Sequence, residues 1–284
     1  MIRAAEPADR AALDAFLLTH ADRAMFALTN LRQHGIAAKG FGSAHPHATR
    51  FWLVGPGVRW VIALSQAGML LPVLPHGADM AGLAGALAGV EISGAVGPVG
   101  QVRPALAALG LTGRAVVDRD EPGFALDLAA LILPAGKGAV LVTPGAAERE
   151  QMLVWRSAYN VEILGASVAR AQKMAVAEID AYLARGSHRL LLRGGEAVAM
   201  TGFNAILPEI VQVGGVFTPL ALRGQGFARL AVALHLAQAR AAGVRRAVLF
   251  AANAAAARAY RSIGFQPVGE VALVMFDGMQ AVAA

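Results

Sequence analysis

The chain contains no cysteine, which removes disulfides, thiolate nucleophiles and cysteine-based metal sites from consideration. Charge is sparse as well: Asp, Glu, Lys and Arg make up only 15% of the 284 residues, and lysine occurs only as Lys39, Lys137 and Lys173. The net charge of +6 and pI near 10.4 come from dispersed arginines with no run of five or six like charges, so a nucleic-acid partner is not expected. The excess positive charge instead favours anionic ligands in a general way.

A long apolar run is also missing, although 56% of the residues are hydrophobic and the mean hydropathy is +0.53. The longest uncharged stretch, Trp60 to Ala78, approaches the roughly 20 residues of a spanning helix, but it is interrupted by the turn-like "SQAG" and by Pro72 and Pro75. It reads as a β-hairpin, and no membrane association is expected. The opening "MIRAAEPADR" carries charges where a secretion signal needs an apolar core, so the expected location is cytoplasmic.

Periodicity predicts a mixture of helices and paired strands rather than strict βαβ alternation. In the first half, helices are expected over Pro7 to Thr19 and Ala21 to His34. Strands come next at Arg50 to Val54, Val58 to Leu64 and Met69 to Leu74, then a helix at Asp79 to Ala88 and a strand at Val90 to Val96. A helix from Pro98 to Gly110 and strands at Arg114 to Val117 and Phe124 to Leu133 complete it.

The Pro- and Gly-rich "LPAGKGAVLVTPGAAERE" is the natural boundary, giving domains 1–140 and 141–284. Beyond it, helices are expected at Ala146 to Ala158 and Ala166 to Arg185. A hairpin turning at Gly194-Gly195 and a strand at Ile210 to Phe217 come next. The last elements are a helix at Gly226 to Ala242, a strand at Arg246 to Ala251, a helix at Ala254 to Ile263 and the strand "EVALVMF". "PALAALGLTGRAVV" and "AQARAAGVRRAVLF" echo one another and suggest a degenerate duplication.

Chemistry concentrates in Arg223-Gly224-Gln225-Gly226-Phe227-Ala228, between a strand and a helix whose apolar positions Phe227, Leu230, Ala231 and Leu234 fall at helical spacing. Unpaired N–H groups and the helix dipole favour an anion at such a place. Glycines at 224 and 226 and alanine at 228 leave the backbone open to a phosphate, and Arg223 adds a forked cation. There is no Gly-Lys-Ser/Thr of a Walker loop, and Arg229 stands where the dinucleotide fingerprint needs its third glycine.

Arg223-x-x-Gly226-x-Ala228 resembles the R/Q-x-x-G-x-G/A signature of the GCN5-related N-acetyltransferases, the GNAT superfamily. Asn253, Ala256, Tyr260 and Ile263-Gly264-Phe265 repeat that family's N-x-x-A-x-x-x-Y-x-x-x-G-F pattern downstream. The resemblance covers the C-terminal half. It implies an α+β GNAT fold, a mostly antiparallel central sheet flanked by helices, in two GNAT-like lobes of which the first is degenerate. "GAVGPVGQV" (Gly94 to Val102) occupies a comparable strand-to-helix position in the first half but lacks the arginine, so no second donor site is expected there. Leu222, where many relatives have an aromatic, alters loop packing rather than the anion donors.

The resemblance further implies N-acetyltransferase activity. Acetyl-CoA is the cosubstrate, no metal is needed, and the acceptor is a small-molecule or peptide amine, attacked in a ternary complex; a homodimer is compatible with this. A non-catalytic acyl-CoA sensor shares the same cofactor residues. Val216, Phe217 and Thr218 would pair with the pantetheine arm, Arg223, Gly224, Gln225, Gly226, Phe227 and Ala228 would hold the diphosphate, and Asn253 would cap its helix and contact the arm. Tyr260 is the expected general acid for the leaving thiolate. Glu209 is either a general base or a solvated carboxylate, and water-mediated deprotonation needs neither. Tyr159 and Glu162, spaced i, i+3, are expected on a helix surface, with the acceptor cleft as the other reading. His45 and His47 lack a third ligand at fitting spacing, so no metal site is expected, and His235 reads as a helix residue.

Overall fold

The computed structural model describes residues 2–38, 45–55, 57–75, 77–136 and 138–283; Lys39 and Lys137 lie outside them. The chain forms two compact units, Met1–Glu121 with Gly269–Ala284, and Pro122–Val268.

The first unit contains β1 (Ile2–Ala4), α1 (Arg10–Thr19), α2 (Ala21–His34), β2 (Thr49–Val54), β3 (Val61–Ser65), β4 (Met69–Val73), α3 (Leu83–Ala86), β5 (Glu91–Pro98) and α4 (Val99–Ala108). The suspected membrane segment is indeed a hairpin: β3 and β4 pair antiparallel around Gly68, whose φ of 80° suits a tight turn. Every residue of β3 is buried, which explains its uninterrupted apolar run. β4 then pairs parallel with β5 through Met69–Gly94 and Leu70–Ala95. The core joins Trp52, Ile62, Leu64, Leu70, Leu83 and Ile92 to Val274 and Phe276 near the C-terminus.

The second unit contains β7 (Ala139–Val142), α5 (Arg149–Glu162), α6 (Val168–Arg185), β8 (His188–Arg193), β9 (Glu196–Ile206), β10 (Ile210–Phe217), α7 (Phe227–Ala241), β11 (Arg246–Phe250) and α8 (Ala254–Arg261). Neighbouring strands pair antiparallel except β10 and β11, which run parallel. Side chains alternate across this sheet as a period of two requires: Leu190 packs with Met152, Trp155, Ile179 and Tyr182 of α5 and α6, whereas Leu191 packs with Phe227 and Leu230 of α7.

Two strands cross between units along the chain. β6 (Ala115–Asp127) follows α4, yet its Gly123–Asp127 stretch pairs with β11; β12 (Gln266–Ala281) follows α8, yet it pairs with β5 from Val271–Pro98 to Ala281–Glu91. Each unit's sheet is therefore completed by a strand that follows the other unit's last helix. This exchange moves the divisions to Glu121/Pro122 and Val268/Gly269, where the sequence pattern divides the chain at 140/141. The two strands expected at 114–117 and 124–133 are one, ending at Asp127, and the supposed linker contributes β7.

Each unit holds one parallel strand pair, β4 with β5 and β10 with β11, and in each the first strand of that pair is followed by a helix, α3 or α7.

Candidate functional site

β10 and β11 pair only through Ile210–Arg246, Val211–Ala247 and Gln212–Val248. Beyond that point β10 keeps only its β9 partner, and the register slips between Gly214 and Phe217 around Gly215, whose φ is 62°. Such a bulge bends the strand and re-aims the side chains beyond it. A cleft of about 530 Å³ opens in the second unit where the strands part, lined by Val216, Phe217 and Thr218 from the end of β10. The loop Arg223 to Ala228 lines it next, and Asn253 and Tyr260 line it from α8. Ten expected cofactor contacts and the expected acid thus share one cavity.

The cleft has the polar character of a ligand site. Gly226 starts α7 with φ 82°, and no side chain caps this helix, so its first N–H groups lack the usual acceptor. Thr218 is buried, and its Oγ1 has no partner among the described residues. Asn253, by contrast, spends its Oδ1 on its own helix, accepting from the Ala256 N–H at 2.9 Å. Tyr260 is buried and meets Phe265 edge-on at 5.9 Å, a contact that fixes the ring on the border of the cleft.

Arg223 is not a free cation beside the loop. Its Nη2 donates to Glu162 Oε2 at 2.6 Å, its Nε donates to the Thr218 carbonyl at 2.9 Å, and its guanidinium lies 5.7 Å from the Phe217 ring. Glu162 and Tyr159, expected on a helix surface, both line the cleft, and among the described residues Glu162 is its one lining carboxylate. The cleft also takes Arg229 and Arg258, which the sequence pattern does not assign. Arg229, which breaks the dinucleotide fingerprint, is the third residue of α7, beside the uncapped helix start.

Glu209 does not line this cleft. It is exposed in the turn between β9 and β10, where its carbonyl accepts from the Arg245 and Arg246 N–H groups at 2.9 and 3.0 Å. The β10 residues that line the cleft, Val216 and Phe217, lie at the other end of the strand, roughly 25 Å away at ~3.3 Å per residue.

Behind the α5 wall is a buried polar cluster. Arg156 donates to both oxygens of Glu178 at 2.8 and 2.6 Å, Asn160 donates to the same carboxylate at 2.8 Å, and the Arg156 guanidinium stacks 4.5 Å from Tyr159. Burial alone would lower the Arg156 pKa, but the Glu178 hydrogen bonds raise it, so the charge is secure. Next to this cluster the His188 ring stacks on Tyr182 at 3.5 Å and fills the space a Cβ would need at Gly202 or Gly215. Burial pushes Tyr182 up to about 12 and His188 well down, so both are neutral. His188 therefore underlies the bulge as a packed wedge.

His235 is buried against Phe203 at 3.8 Å, and desolvation, aided by Arg189, lowers its pKa to about 3. The rings of His34, His45 and His47 lie tilted against one another in sequence, with centroids 4.0 and 5.5 Å apart. Among the described residues no group of three or more His, Asp or Glu side chains could hold a metal ion, and no helix is long and apolar enough to cross a membrane.

Comparison with known proteins bears on the same segment. Residues 153–265 match the acetyltransferase (GNAT) family model. This segment is a GNAT-family domain. The family's chemistry is acyl transfer, and its members use acetyl-CoA as cosubstrate. Solved structures share the mixed α/β fold. A GCN5-related N-acetyltransferase from Kribbella flavida is 22% identical with a TM-score of 0.55, covering 78% of this chain and 87% of its own. One from Sphaerobacter thermophilus is 18% identical at TM-score 0.55, covering 100% and 96%. A tandem GNAT protein from the clavulanic acid biosynthesis pathway, 15% identical at TM-score 0.55, covers 100% and 99%. No curated protein sequence matches the chain.

Proposed function

We propose that the second unit transfers the acetyl group of acetyl-CoA to a primary amine by direct attack in a ternary complex, and that the first unit is a degenerate GNAT-like copy. The observation that carries this reading is the convergence of the bulged end of β10, the uncapped start of α7 and Tyr260 on one cleft of the GNAT-family domain. The residues fit the donor: the unsatisfied N–H groups and Cβ-free Gly224 and Gly226 suit its diphosphate, and the exposed edge of β10 past Gln212 suits its amide-bearing arm. The orphaned Thr218 hydroxyl is a further contact for that arm.

In the reaction the amine, deprotonated by water, attacks the thioester carbonyl. A C–N bond forms, the C–S bond breaks, the attacking nitrogen gives its surplus proton to solvent, and the departing thiolate takes the Tyr260 phenolic proton, which solvent restores. Glu209 is exposed in the turn at the far end of β10 and Glu162 is paired with Arg223, so in this reading water takes the proton. Acetyl-CoA titrated in a calorimeter should bind, and a free-thiol assay over amino acids, polyamines and peptide amines should give turnover with at least one. Binding without thiol release across the panel would favour an acyl-CoA sensor, and no binding would reject the donor assignment.

A further inference from the structure

The donor carries two separate phosphate centres, the diphosphate and a 3′-phosphate on its ribose, while the loop at α7 accounts for one. Three arginines line the cleft, and they are not equivalent. Arg223 is tied to Glu162 and the Thr218 carbonyl. Arg229 has a buried Nε with no partner among the described residues, and its Nη2 would lie 3.3 Å from a Cβ at Gly226, so this guanidinium is set against the loop itself. Arg258 is exposed, and its side chain has no hydrogen bond, ion pair or ring contact among the described residues.

Position on α8 separates their roles. One row along this helix, Asn253, Ala256 and Tyr260 at i, i+3 and i+7, ends in the buried tyrosine. The neighbouring row, Ala255, Arg258 and Ser262, is exposed and forms the cleft's rim. With the thioester beside the inner row and the diphosphate at the loop, the ribose end of the donor leaves over the rim.

We propose, on the basis of the acetyl-CoA reading above, that Arg258 binds the donor's 3′-phosphate and Arg229 its diphosphate, so that the cleft distinguishes CoA from 3′-dephospho-CoA. An unpaired guanidinium on an exposed rim offers two parallel donors to a phosphate without first breaking an internal bond. The small side chains of Ala255 and Ala259 on either side leave its approach open.

Calorimetric titration of both ligands tests this. Wild-type protein should bind CoA about tenfold more tightly than 3′-dephospho-CoA, the size of one charge-assisted contact. Arg258→Gln should lower CoA affinity to that of 3′-dephospho-CoA and leave the latter unchanged, and Arg258→Lys should restore part of the difference. Arg229→Gln should weaken both ligands by the same factor. Equal wild-type affinities, or a ratio that survives Arg258→Gln, would overturn the assignment. Failure of wild-type protein to bind either ligand would instead defeat the acetyl-CoA reading beneath it.

Discussion

Gly82 and Gly226 hold matching places in the two units. Each comes after a strand that runs parallel to its neighbour, each has a left-handed φ, 79° and 82°, and each starts a helix. Around that shared feature the units diverge. α7 runs for 15 residues with Arg223 before it and Arg229 in its first turn, whereas α3 has four residues and no lysine or arginine occurs between Arg59 and Arg103. A four-residue helix has almost no aligned dipoles to offer an anion.

The strands differ as well. β10 and β11 part after Gln212, but in the first unit a Cβ at Gly97 would still lie 3.7 Å from the Pro72 carbonyl, and buried Gln101 accepts the Leu74 N–H at 3.1 Å across the strand ends. The β4–β5 ladder is itself short, Met69–Gly94 and Leu70–Ala95, but the close approach at Gly97 and the Gln101 bridge fill the space between the strand ends. The left-handed glycine before a helix is common to both units; a full-length helix and nearby cations are what the second unit adds.

The largest effect expected from breaking this contrast is on turnover. Tyr260→Phe should lower kcat by about 100-fold with little change in KM, because the acid acts only as charge develops on the thiolate; unchanged kcat in steady-state thiol release would remove Tyr260 from the mechanism. Next comes Gly226→Ala, which forces a side chain into a left-handed conformation costing about 1–2 kcal/mol and crowds Arg229. Acetyl-CoA affinity should fall about tenfold by calorimetry, while Gly82→Ala leaves it unaltered. An equal loss in both would mean that the first unit takes part in donor binding.

Gln101→Ala should have the opposite profile. Leaving the buried Leu74 N–H unpaired costs about 1–3 kcal/mol of stability in chemical denaturation, with donor affinity unchanged. The last effect concerns pH. The His235 pKa is about 3 in the fold against 6.5 when exposed, so below pH 6.5 the unfolded chain takes up a proton that the folded second unit refuses. Stability should fall as pH drops from 6.5, by up to ~1.4 kcal/mol per unit for this group, and His235→Leu should flatten the slope by one proton. Hydrogen exchange, which separates the units, should locate the flattening in residues 122–268.

Much of the second unit's site is legible in the sequence because it is local. The loop from Arg223 to Ala228 and the spacing of Asn253, Ala256 and Tyr260 depend on one helix start and one helix face. The β3–β4 hairpin is equally legible from its turn and prolines. Long-range pairing is not: nothing in "EVALVMF" marks it as a partner for β5 rather than β11, since both edges accept an apolar strand. The Arg223–Glu162 pair joins residues 61 apart, beyond any local pattern. Glu209 is a different case, because eight extended residues already separate it from the loop, and strand rise alone places it far from the cleft.

The contrast between the units reduces to a stoichiometry. Titration of acetyl-CoA into the wild-type chain should show a single equivalent bound, abolished by Gly226→Val and retained in Gly82→Val. Two equivalents, or binding that survives Gly226→Val, would contradict a donor site confined to the second unit.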